Sequence, residues 1–229
     1  MFEPFGWQHL SPLVKGAEFT IVLCVISGVI GSVFGVLLGL AKTSPNRVAR
    51  WLSAIYVNIV RGVPLLVIIF FVYFGIPLMF PGLGLSAFLS AIIALSGFAA
   101  AYVAEIVRGS IEAIPKGQGE AADALGLNYY TKYRYVIIPQ AMKIAVPPGI
   151  GFLISLVKDS SLVTVIGYVE LTKSGSIVSN LTGDPIKTYL VVAGMYFVIC
   201  YGISLIGRQY EKHTGIHVDP LKLSGLAGP

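Results

Sequence analysis

Charge is the first thing this sequence lacks. Only 12% of its 229 residues are Asp, Glu, Lys or Arg, against 55% apolar residues, and the mean hydropathy is +0.82. A water-soluble domain carries roughly a quarter charged residues. Half that share makes lipid the solvent for much of the surface. Cysteine is scarce too. Cys24 and Cys200 each sit inside an apolar run, the pattern of small buried hydrophobes rather than of a disulfide framework. The histidines are His9, His213 and His217, all outside the apolar runs. That leaves no cluster with metal-ligand spacing, and no metal is expected. No G-x-x-x-x-G-K-[ST] sequence occurs, so no loop here would cradle nucleotide phosphates. Residues 1–9 hold Glu3 but no Lys or Arg, unlike the basic start of a cleavable signal peptide, so anchoring falls to retained helices.

What the sequence does have is long apolar runs. A bilayer core takes about 20 apolar residues in helix, and five stretches qualify: residues 19–41, 62–80, 83–104, 144–168 and 188–207. The expectation is one all-α integral membrane domain over residues 1–229. In the first stretch Gly31, Gly35 and Gly39 recur every four residues, a spacing that lets a second helix backbone approach closely. Arg47, Arg50, Asn58 and Arg61 share one helical face. Residues 47–61 therefore read as a short helix in the membrane interface, with Trp51 at headgroup level. Residues 170–187 read as a loop, and the tail beyond Arg208 as polar and then frayed.

Orientation follows from the basic residues. One set of loops and ends holds Lys42, Arg47, Arg50, Arg108, Lys116, Lys132, Arg134, Lys143, Arg208, Lys212 and Lys222; the other holds Lys15, Lys173 and Lys187. The positive-inside rule then puts the amino terminus outside and the carboxyl terminus in the cytoplasm. The same distribution accounts for the net charge of +5 without nucleic acid as a partner.

The longest polar segment, residues 115–140, falls on the cytoplasmic side. Residues 120–125 form helix readily, with Glu120 near the start where the helix dipole favours an acid and Gly126 just past the end as a stop. A second helical piece is expected from about Tyr129, ending before Pro139. Helix, glycine turn and helix make a compact knob able to dock in a groove on a partner. Tyr129, Tyr130, Tyr133 and Tyr135 suit either a partner surface or an interfacial belt.

Glu120-Ala121-Ala122, then Gly126, then Ile138-Pro139 resembles the EAA loop of ABC importer permeases. Further stretches resemble the branch of that family importing polar amino acids: Arg61-Gly62-Val63-Pro64-Leu65-Leu66-Val67, Ala101-Tyr102-Val103-Ala104-Glu105-Ile106-Val107-Arg108-Gly109, Lys116-Gly117-Gln118 and Lys158-Asp159-Ser160-Ser161-Leu162. The resemblance covers residues 15–211. It implies the type I importer permease fold, five transmembrane helices plus a cytoplasmic coupling helix, in a bacterial plasma membrane. It also implies a second permease subunit, identical or paralogous, a cytoplasmic ATPase that holds the ATP and Mg2+, and an extracytoplasmic substrate-binding protein. Gly117, Glu120, Ala121, Ala122, Leu125, Gly126 and Pro139 would form the surface that engages the ATPase. No residue of this chain would be catalytic and no cofactor would be its own.

Lys158 and Asp159 interrupt the fourth apolar stretch. Charges at such depth are costly and face a polar cavity or a partner. Adjacent residues point in different directions on a helix and do not simply neutralise each other. Both a structural pair with other helices and a place on the substrate pathway fit, the latter joined by Ser155, Ser160 and Ser161. Those serines are equally able to bond their own helix carbonyls. Arg61 reads as a headgroup anchor, and Glu105 with Arg108 as a local ion pair. The amino-acid branch commonly has Asn-Glu just after the double proline, where this chain has Pro147-Pro148-Gly149-Ile150-Gly151-Phe152. The resemblance thereby disfavours a cationic amino acid as cargo. The alternative readings are a secondary transporter or channel working alone, for which a docking loop has no purpose, and a membrane enzyme, which lacks a nucleophile or metal set.

Overall fold

The computed structural model describes residues 4–214, and every regular element among them is helical. His217, Lys222 and the end of the tail lie outside the described residues. A 3-10 turn at Trp7–His9 leads into α1, Leu10–Thr43. There follow α2 at Arg47–Gly62, α3 at Leu65–Met79, α4 at Ala87–Glu112, α5 at Lys116–Ala124, α6 at Tyr129–Ile166, α7 at Leu171–Thr182 and α8 at Pro185–Thr214.

Four helices are long and apolar enough to cross a membrane: α1 with its leading turn, α4, α6 and α8. A fifth crossing requires α2 and α3 taken together, bent by 104°. The bend is written into the chain. Val63 precedes Pro64 and is extended, at φ −106° and ψ 135°, as a residue before proline must be. The helix is released there and restarts at Leu65.

The tightest seam is α1 against α4. Lipid tails are as apolar as leucine, so helices associate in a bilayer through close van der Waals contact rather than water exclusion. The expected glycine stripe supplies it. A Cβ on Gly31 would stand 2.4 Å from the Ala99 Cβ, one on Gly35 2.6 Å from the Val103 Cβ, and one on Gly39 2.7 Å from the Val107 Cβ. Around this seam Leu23, Ile69, Leu95, Phe98, Leu156 and Val163 form the main core. Leu13, Leu171, Val178 and Val192 form a smaller core at one end of the bundle, and Ile111, Ile114, Ile137 and Ala141 another at the α5 end.

Three expectations change. Residues 170–187 are not a loop, because α7 occupies most of them. Its buried Leu171, Gly175, Val178 and Thr182 fall at offsets 0, 4, 7 and 11, one helical face, which packs on α1 and α8. The helix α5 starts at Lys116, so Glu120 stands past the first turn, where the dipole has little hold on it. No break occurs before Pro139. A π-helical turn at Tyr133–Ile137 runs straight into the α-helical stretch Ile138–Asp159, with Pro139 in its first turn. The Ile138 N–H donates to the Tyr133 carbonyl five residues back, so the helix is widened where Pro139 enters it. The helix continues through Pro147 and Pro148 and tightens into a 3-10 turn at Ser160–Ile166.

Candidate functional site

The α5 hairpin is built by its own backbone. Gly126 adopts φ +73°, its N–H donates to the Asp123 carbonyl at 2.9 Å, and the Leu127 N–H donates to the Ala122 carbonyl at 3.1 Å. That pair of bonds is the Schellman ending. It turns the chain sharply and leaves Leu125, at the corner, 80% exposed. Gly117, Glu120, Ala121, Gly126 and Pro139 are also exposed, whereas Ala122 is buried beneath the turn. Two polar contacts pin α5 to α6. The Lys132 Nζ lies 2.6 Å from the Asp123 Oδ1, and the Gln140 Nε2 donates to the Gln118 Oε1 at 3.2 Å. The Tyr129 and Tyr133 rings lie 4.4 Å apart at a tilt of 33°, while Tyr130 is 83% exposed.

Above the hairpin, Glu105 on α4 makes the expected local pair with Arg108 and is also a junction between helices. Its Oε2 takes the Lys42 Nζ of α1 at 2.7 Å and lies 3.7 Å from the Arg61 Nη1 of α2. Its Oε1 accepts from the Arg108 Nε at 2.8 Å, and Arg108 also pairs with Glu112. One carboxylate thus ties three helices together. Arg61 is therefore more than a headgroup anchor: its guanidinium sits 5.3 Å from the centroid of the Tyr102 ring.

Tyr102 opens onto a cleft of about 430 Å3, lined by Phe98, Tyr102 and Ile106 of α4 and Phe152, Ser155 and Asp159 of α6. The Tyr102 and Phe152 rings stack at 5.4 Å with 14° between planes. The structure separates the pathway candidates. Asp159 and Ser155 line the cleft, but Lys158 is exposed on another side of the helix and lines no part of it. The Ser155, Ser160 and Ser161 hydroxyls donate to the carbonyls of Gly151, Val157 and Lys158 in their own helix. Phe152 fills the second position after Pro148-Gly149-Ile150, and the cleft nevertheless contains a carboxylate, that of Asp159. Among the described residues no group of three or more His, Cys, Asp or Glu is placed to hold a metal ion.

Sequence reasoning missed Glu170 altogether. It is fully buried at the amino end of α7. The Oε1 accepts from the Thr164 hydroxyl at 2.6 Å and the Lys173 N–H at 2.8 Å; the Oε2 accepts from the Thr172 N–H and the Tyr196 hydroxyl, both at 2.8 Å. The Thr20 hydroxyl of α1 accepts from the neighbouring Leu171 N–H at 3.1 Å. The readable signal was an acid one residue ahead of a short amphipathic period, where an N-cap belongs.

The family described as binding-protein-dependent transport system inner membrane component matches residues 31–214. The chain is 39% identical to the probable amino-acid ABC transporter permease protein YckA of Bacillus subtilis, with 90% of each chain covered. It is 35% identical to the glutamine transport system permease protein GlnP of Escherichia coli, over 93% of this chain and 99% of that one. A solved amino acid ABC transporter superposes with a TM-score of 0.85 at 33% identity, covering 90% of this chain and 95% of the other. An inward-facing structure of the MetNI methionine ABC transporter shares the fold, with a TM-score of 0.79 at 23% identity over 91% of this chain and 99% of the other.

Proposed function

This chain belongs to the family of binding-protein-dependent transport system inner membrane components, and we propose that it is the permease subunit of an ATP-driven importer of a polar amino acid. It forms half of the pathway and leaves ATP and Mg2+ to a separate ATPase on the α5 side. A second permease subunit, identical or paralogous, supplies the other half, and an extracytoplasmic binding protein delivers the solute. The basic residues gathered in the loops and ends on the α5 side support a cytoplasmic position for that side.

One observation carries the reading. The hairpin that presents Leu125 runs straight into α6 and is joined to α4 through Ala113, Ile114 and Pro115, and those two helices line the Asp159 cleft. A partner that pulls or turns α5 therefore acts directly on the helices that wall the cleft. The coupling surface comprises Gly117, Glu120, Ala121, Leu125, Gly126 and Pro139, with Ala122 supporting it from beneath. In the cleft, the Asp159 carboxylate suits the ammonium group of an amino acid by charge, and the Tyr102 and Phe152 rings beside it form an apolar wall. Ser155 adds a neutral hydroxyl at the rim. Lys158, outside this cleft, is assigned to the opposed half of the pathway or the sister subunit.

The test is co-purification from the bacterial membrane. An ATPase polypeptide should remain bound to the wild-type chain. Leu125→Asp should reduce that retention at least tenfold while the thermal unfolding of the permease stays unchanged, because Leu125 contributes little to the fold. Amino-acid uptake into liposomes by the purified chain alone, without nucleotide, would instead establish a stand-alone transporter.

A further inference from the structure

An apolar groove of about 720 Å3 runs between α1, α6 and α8, with Val29, Val33, Leu153, Gly202, Ile203 and Ile206 among its walls. Its floor is open rather than loosely packed. A Cβ on Gly202 would meet nothing within 4 Å, and Val29, Val33 and Ile206 are 60%, 56% and 70% exposed. From Ile21 to Val33 the α1 wall extends about 18 Å at 1.5 Å per residue. That is close to one leaflet of a hydrocarbon core roughly 30 Å thick. Ile206 also borders a second, polar cavity of about 520 Å3 whose other lining includes Gln209, Lys212 and His213. The apolar groove and the basic cavity therefore meet at one residue, in line along α8.

We infer that this composite groove is a site for a net-anionic phospholipid, with one acyl chain between α1, α6 and α8 and, at Lys212, Gln209 and His213, a headgroup phosphate whose charge no choline ammonium offsets. The order of the chemistry selects the occupant. A phospholipid carries an anion at the end of an apolar chain by construction, and the groove offers a cation and hydrogen-bond donors just where its apolar walls stop. A partner helix filling the groove would have no reason to place an anion there. The last turns of α8 also carry Arg208, exposed one turn before Lys212, against the single acid Glu211, so the local field favours an anion. A juxtamembrane cation also adds to the attraction of an anionic lipid.

The test uses the full-length chain in detergent, with native mass spectrometry counting retained phosphatidylglycerol or phosphatidylcholine added at equal concentration. The wild-type chain should retain phosphatidylglycerol in preference, and Lys212→Gln should reduce that retention about fivefold, the effect of one cation near an anionic headgroup, with the smaller retention of zwitterionic phosphatidylcholine falling by less. Gly202→Leu, whose Cβ would meet nothing within 4 Å and whose isobutyl group projects into the groove, should reduce retention of both lipids. Equal retention of the two lipids by the wild type, or unchanged phosphatidylglycerol retention by Gly202→Leu, overturns the site. So does efficient disulfide formation between two copies of a Gly202→Cys chain in native membranes, because that would put protein, not lipid, in the groove.

Discussion

Replacing Glu170 by alanine tests the structure at its most heavily bonded buried side chain. Four donors converge on this carboxylate: the Thr172 and Lys173 N–H groups and the Thr164 and Tyr196 hydroxyls. Loss of the N-cap costs about 1 kcal/mol. The Thr164 hydroxyl would be left in the interior without this acceptor, for a further ~1–3 kcal/mol. Tyr196 loses less, because the Thr172 hydroxyl remains 3.0 Å away. The sum is about 3 kcal/mol, concentrated where α7 seats on α1 and α8. Equilibrium unfolding in mixed detergent and SDS micelles, followed by far-ultraviolet circular dichroism, measures it. Hydrogen exchange at the Thr172 and Lys173 amides should accelerate in parallel. Glu170→Gln, which keeps one acceptor oxygen but turns donors toward donors on the other side, should fall between wild type and Glu170→Ala. A Glu170→Ala chain within 1 kcal/mol of wild type would refute the reasoning, since four bonds to a fully buried acid would then be energetically idle.

Two further outcomes follow from the seam and from the cleft. Gly35→Leu should destabilise the bundle by at least ~2 kcal/mol in the same unfolding assay, because its Cβ alone would stand 2.6 Å from the Val103 Cβ and 2.9 Å from the Ala100 carbonyl oxygen, and overpacking of a fitted seam costs about 1–3 kcal/mol. Asp159→Asn should abolish stimulation of ATP hydrolysis by the loaded binding protein while leaving the subunits assembled; normal stimulation and uptake would remove Asp159 from the pathway.

What could be read from the sequence was whatever repeats with a single period. The glycine stripe of α1 announced a close backbone approach, and Gly126 announced the end of α5, because each rests on a local rule that needs no partner. The α4 and α8 spans were legible as uninterrupted apolar runs, although both helices run past the predicted ends: α4 to Glu112 and α8 to Thr214. Helix α7 was hidden because it is short and carries polar residues on its outer turns, so apolar content alone gives no signal and only the spacing of its buried face betrays it. The uninterrupted course of α6 was hidden for a different reason. Pro139 reads as a terminator unless one knows that a π turn precedes it. Glu105 was seen as the partner of Arg108, three residues away, but its bonds to Lys42 and Arg61 join parts of the chain whose proximity only the fold creates. The same holds for the cleft. Phe98, Tyr102 and Asp159 each have an ordinary local environment, and their meeting depends on α4 lying beside α6.

On the proposed function, the two helices leaving the coupling hairpin are not mechanically equal. Helix α4 is fixed along α1 by the glycine seam, and near its α5 end Glu105 holds it to Lys42 of α1 and Arg61 of α2. Any displacement entering through α4 must carry α1 and α2 with it as one body. Helix α6 carries the features that soften a helix: the π turn at Tyr133–Ile137, two interior prolines at Pro147 and Pro148, and the 3-10 turn at Ser160–Ile166. Each interior proline lacks the N–H that would bond one turn back, and π turns are places where helices bend. Between Pro139 and Asp159 the helix spans about 30 Å at 1.5 Å per residue, so a tilt of a few degrees at the hairpin end translates into more than an ångström at the carboxylate. The rigid wall of the cleft is then the aromatic one, Phe98 and Tyr102 on α4, backed by Arg61 over the Tyr102 ring. The moving wall is the acidic one on α6. Such a division changes the distance between the Asp159 carboxylate and the Phe98 and Tyr102 rings while the α1–α4 glycine seam keeps its contacts. It therefore lets one mechanical input weaken the grip on an ammonium group while the bundle itself stays folded.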